Sequence, residues 1–157
     1  MAKILAMAVR ITGLSVHAIA IVAAQSIAHA TMWAEDEAEI AACFAKMDRE
    51  PALAVVNEKF ARRAPTAAQL SDKRIPKEGE AGALRLRIAK TRPCRKMRLA
   101  ALAVHHPLLL PAYQTLYYQA DQVFSYLIQE SISYGIANRL AGEALEAFRT
   151  RERAYFA

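Results

Sequence analysis

The feature that most constrains this chain is the stretch 111–154, which carries two successive amphipathic helix patterns around a short break. Leu116, Tyr117, Ala120, Val123, Phe124, Leu127 and Ile128 recur in steps of three and four. That spacing places them on one face of a 3.6-residue helix, with Gln119, Gln122, Ser125 and Gln129 opposite. Ile136, Ala137, Leu140, Ala141, Ala144, Leu145 and Phe148 repeat the pattern downstream. Ser133 sits in the break as an N-cap, its hydroxyl free to accept an N–H of the next turn. Ile136 stands where a capping box would need Glu or Gln, so one capping group is expected, not two. So short a connection makes the helices antiparallel, with Leu127 and Leu140 expected near the middle of the buried seam. The stripe reads first as core, with a groove for a partner helix as the sharper alternative.

A hairpin cannot bury its face alone, and the rest of the composition is helical in character. Glycine and proline number 5 and 6 in 157 residues, and β-branched residues are few, which favours helix over sheet. The expected fold is all-α: a small helical bundle built on the C-terminal hairpin, as a single domain over 31–157.

Residues 1–30 read differently. Lys3 and Arg10 precede an apolar run from Ile11 to Ala24, and Ala28-His29-Ala30 supplies small residues at a cleavage position. That is the form of a secretory signal peptide, cleaved after Ala30, which makes the protein periplasmic or secreted. The alternative is an uncleaved anchor over residues 4–24, although its apolar run is short of the ~20 residues that a spanning helix needs.

Two cysteines in an exported chain, Cys43 and Cys94, read as a disulfide. No CxxC or CxxCH is present, and two isolated cysteines do not make a zinc site. The pair would tie an acidic first helix, expected over 33–49, to the basic middle of the chain. Residues 71–82 contain Pro76, Gly79 and Gly82 with few apolar groups, and read as a surface loop. Thr66 can cap a turn through Leu70. Pro93 is expected to open a new helical segment running to Val104, and His105-His106-Pro107 to end it.

Charge is strongly divided. Residues 31–58 balance to −5, whereas residues 59–98 hold thirteen Lys or Arg against Asp72, Glu78 and Glu80, a balance of +10. Part of that block should pair with the acidic segment. Lys73, Arg74, Lys77, Arg85, Arg87, Lys90 and Arg92 remain as candidate anion- or partner-binding residues. Nucleic acid is not expected, because no aromatics interleave the basic residues. Tyr113, Tyr117, Tyr118 and Tyr126 are candidate partner-interface residues, since a tyrosine ring packs while its hydroxyl stays available.

Catalytic constellations are absent from the sequence. There is no GxSxG, HExxH or phosphate-binding glycine loop. Adjacent histidines on a helix point about 100° apart, so His105 and His106 fit a helix C-terminus better than a shared metal. Asp121, Glu143 and Glu146 read as surface carboxylates. No cofactor is expected. The functional expectation is an exported, non-enzymatic binding protein, an accessory or assembly factor for an envelope protein or an anionic ligand or surface. Its rivals are a membrane-tethered subunit of a larger complex and a small metal-dependent or hydrolytic enzyme around His105 and His106.

Overall fold

The structure, a computed structural model, describes residues 31–60 and 64–157. The chain divides into two units, Met1–Ala38 and Glu39–Ala157. Of the first unit residues 31–38 are described, and they are helical. The core, the disulfide and a cleft lined by Lys59, Lys73, Arg74 and Lys77 all belong to the second unit. The signal segment 1–30 lies outside the described residues.

Every regular element among the described residues is helical, so the all-α expectation holds. Helix α1 covers 31–48 and buries Ile40 and Met47. Glu50 is extended, at φ −63° and ψ 116°, and Pro51 opens a 3₁₀ turn, Pro51–Leu53, that runs into α2, Ala54–Asn57. A residue before proline is pushed out of the helical region, which ends α1 there. Helix α3, Ala67–Leu70, is a single turn held by Thr66 and Gln69 in a full capping box.

Helix α4, Glu78–His105, is 28 residues long and is the spine of the fold. At 1.5 Å per residue it spans about 42 Å. The 3₁₀ turn Pro107–Leu109 follows, then α5, Leu110–Ile128, with Pro111 in its first turn, and α6, Tyr134–Phe156. α5 packs on both α4 and α6. Cys43 and Cys94 are disulfide-bonded with their Cα atoms 5.6 Å apart, fastening α1 to the middle of α4.

The α5–α6 turn shows why the hairpin closes. Glu130 adopts a left-handed φ of 57°, and the Ser131 N–H donates back to the Tyr126 carbonyl at 3.0 Å. This is the closure usually made with glycine at the left-handed position. Ser133 then accepts the Ile136 N–H at 3.4 Å, the single cap expected.

Three sequence expectations are corrected. Residues 78–82 are not loop but the first turns of α4, because Glu80, Ala81, Ala83 and Leu84 present a buried face to the core. Pro93 lies inside α4 and opens nothing. Ala89 and Pro93 both face solvent, so water can take the carbonyl that proline leaves without a donor. Burial of Leu84, Cys94 and Leu102 on the other face carries the helix through. The third correction is the face of α6. Its buried positions are Tyr134, Gly135, Ala137, Asn138 and Phe148, whereas Ile136 and Leu140 are 40% and 36% exposed.

The rotation of α6 follows from what the core demands. Val56, Phe60, Leu84, Val123, Leu127, Tyr134 and Ala137 form one cluster. The Phe60 ring meets Phe124 and Tyr134 edge-on at 5.2 and 5.9 Å. Asn138 donates its amide to the carbonyls of Lys59 and Tyr134, so a polar residue is held inside at no unpaired cost. Gly135 makes this possible. A Cβ there would lie 2.5 Å from the Leu70 carbonyl oxygen and 2.8 Å from that of Asp72.

Candidate functional site

The start of α4 organises the basic segment into a cleft. Lys77 is extended at φ −80° and ψ 164°, and its N–H donates to Glu80 Oε2 at 2.9 Å. That is one half of a capping box. The reciprocal half is missing because an ammonium has no lone pair to offer the helix. Glu80 is buried and accepts from the Lys59 ammonium and from the Tyr134 hydroxyl as well, the latter at 3.0 Å. Burial alone would raise its carboxyl. Lys59, the Lys77 N–H and the Tyr134 hydroxyl outweigh that and hold it below the ordinary value. Lys59 also lies over the Tyr134 ring, 4.7 Å from its centroid.

Residues 71–77 fold across this pair. Asp72 takes the Arg74 guanidinium in a two-pronged bond of 2.8 and 2.7 Å, and the Arg74 N–H at 3.0 Å. The Arg74 bonds push the Asp72 carboxyl down to about 2. The segment is anchored from the far end of the chain. Tyr134 N–H donates to the Arg74 carbonyl at 2.9 Å, and Gly135 N–H to that of Asp72 at 2.7 Å. These are orphan donors of the first turn of α6, satisfied by loop carbonyls. Between the segment and α4 lies a cleft of about 650 Å³, lined by Lys59, Lys73, Arg74 and Lys77 with Ile75, Pro76 and Glu80.

The two carboxylates make the segment acid-sensitive. Both have lowered folded-state pKa values, so their stabilisation is complete above the unfolded carboxyl range and is lost as pH falls. The melting temperature should hold down to about pH 4.5 and decline between about pH 4 and 2. Asp72→Asn should remove part of that decline. A wild-type melt that is flat across this window would contradict the two anchored carboxylates.

The other predicted anion-binding residues separate into two groups. Arg87 is held by Asn57 Oδ1 and lies over the Phe124 ring, 5.9 Å from its centroid. Lys90 pairs with Glu50 at 3.4 Å. Arg85 and Arg92 are exposed, and Lys96, which sequence reasoning left out, joins them. Steps of seven and four put the three on one face of α4 over about 16 Å. No acid among the described residues pairs with Lys73, Lys77, Arg85, Arg92 or Lys96.

The candidate interface tyrosines also divide. Tyr113 packs on Phe148 at 4.5 Å, accepts from Arg98 and donates to Glu152. Burial pushes its hydroxyl up to about 12. Tyr117 lies under Arg95, whose guanidinium also donates to Asp121 at 2.7 Å. Tyr118 and Tyr126 are 65% and 43% exposed. Tyr126 borders a shallow apolar groove of about 400 Å³ with Leu140 and Ala144.

The two histidines part company at the end of α4. His105 is buried in the last turn, and the His106 ring meets Tyr155 and Phe156 at 5.8 and 5.6 Å. Among the described residues no three His, Cys, Asp or Glu side chains are grouped as a metal would require, and no helix is long and apolar enough to cross a membrane.

Lys59, Glu80 and Tyr134 are the residues that sequence reasoning missed. Their partners lie 21 and 54 positions away, so no local spacing announces them. Comparison with protein-family models, with curated proteins and with solved structures finds no match to this chain.

Proposed function

We propose that this protein is exported and works by binding, with the basic face of α4 and the 71–77 segment taking an anionic partner. One observation carries the reading. Arg85, Arg92 and Lys96 stand in a row, exposed and in no ion pair among the described residues. Internal pairing has used Lys59, Arg74, Lys90 and Arg95, and these cations are what remains.

A polyglutamate peptide is a suitable acidic probe. Its affinity should fall steeply as salt rises, because charges are screened over about 10 Å at 0.1 M. Arg85→Glu/Arg92→Glu/Lys96→Glu should weaken binding by at least about tenfold, with helicity and melting temperature nearly unchanged. Binding that ignores both salt and this triple reversal would reject the reading and move attention to the Tyr126–Leu140 groove.

A further inference from the structure

We infer that the cleft between residues 73–77 and α4 is a pocket for a phosphate monoester, the dianionic group of a phosphorylated small molecule or lipid headgroup. The inference rests on the reading of the basic face as an anion-binding surface and names one ligand for one part of it. Four cations line the cleft, and two of them are already matched. Lys59 is paired with Glu80, and Arg74 with Asp72. Lys73 and Lys77 are left, so the pocket carries two uncompensated positive charges. A phosphate monoester near neutral pH brings up to two negative ones.

The position of those charges points the same way. Lys77 is the N-cap of a 28-residue helix, where the macrodipole is positive and cations are unfavourable. A residue able to accept a hydrogen bond is the usual choice there, and lysine is not one. Local rules are broken in this way where a ligand supplies what the chain withholds. An anion in the cleft would face both ammonium groups and the positive end of α4. Paired Lys59 and Arg74 are fixed by their carboxylates, so the pocket is formed before the ligand arrives, and the concave site suits one headgroup where the row on α4 suits an extended acidic surface.

The test is calorimetric titration of the full chain with glycerol 3-phosphate and with its diester analogue, glycerophosphocholine, at physiological salt. The monoester should bind saturably at one site, and the diester at least about tenfold more weakly. Lys73→Gln/Lys77→Gln should cost about tenfold or more in monoester affinity without altering helicity. Arg85→Gln/Arg92→Gln/Lys96→Gln should leave it unchanged. Vesicle flotation then separates the sources. Recruitment to phosphatidate but not phosphatidylglycerol vesicles, lost with the same two lysines, assigns a lipid headgroup. Monoester binding without recruitment assigns a free ligand. No saturable monoester binding, or equal loss from both sets of variants, overturns the pocket. If polyglutamate still binds through the α4 row, only the pocket falls, and if it does not, the binding function falls too.

Discussion

Reduction of the Cys43–Cys94 disulfide is expected to destabilise the protein by about 4 kcal/mol, the chain-entropy value for a link across 51 positions. Melting temperature should fall by roughly 10 °C, since each kcal/mol moves a chain of this size by about 2–4 °C. Without the link α1 is held by its own packing alone. It buries Ile40 and Met47, and Pro51 prevents it from extending into the elements that follow. Cys94 is 1% exposed, so the bond also seals α4 at the point where Pro93 weakens its hydrogen-bond ladder. Cys43→Ser and Cys94→Ser should each reproduce the reduced state. Identical melts with and without reductant, or free alkylation of both thiols in the native protein, would show that the link contributes nothing.

Tyr134→Ala should cost about 3–5 kcal/mol through the cavity it leaves. Tyr134 is the largest of the fully buried side chains among the described residues, and its ring supports both Phe60 and Lys59. Tyr134→Phe separates the hydroxyl from the ring. It keeps the packing and removes one donor from buried Glu80, which should cost about 1–3 kcal/mol. Leu127→Ala belongs with the large losses, at about 2–5 kcal/mol. Leu140→Ala, at an exposed position, should cost under about 1 kcal/mol. Chemical denaturation of the four variants checks the order. Equal losses at Leu127 and Leu140 would restore the apolar face expected from spacing alone.

That contrast shows how far spacing reaches. The α5 seam, the Ser133 cap, the Thr66 turn and the cysteine pair were legible because each depends on residues close in sequence or on the only two thiols present. The face of α6 was not. An apolar stripe leaves out Asn138, yet Asn138 is buried because two backbone carbonyls lie within its reach. Gly79 and Gly82 suggested a loop, since glycine is costly in a helix interior. They sit in the first two turns of α4, where Glu80 provides both a cap and a buried anchor. The basic residues were legible as a set but not in their division. Which lysine meets a carboxylate and which is left over depends on elements that meet only in the folded chain.

The donation of the first α6 N–H groups to the carbonyls of Asp72 and Arg74 bears on when the cleft can exist. Those bonds join positions about sixty apart, and Tyr134 reaches Glu80 across 54. Closing a loop of that length costs entropy before any contact repays it. The segment 71–77 therefore has no reason to settle while α4 alone is present. It takes its shape when the α5–α6 hairpin, which follows it in the chain, docks against it. The pocket is a product of the finished topology, and the two lysines become neighbours in a site only at the end of folding.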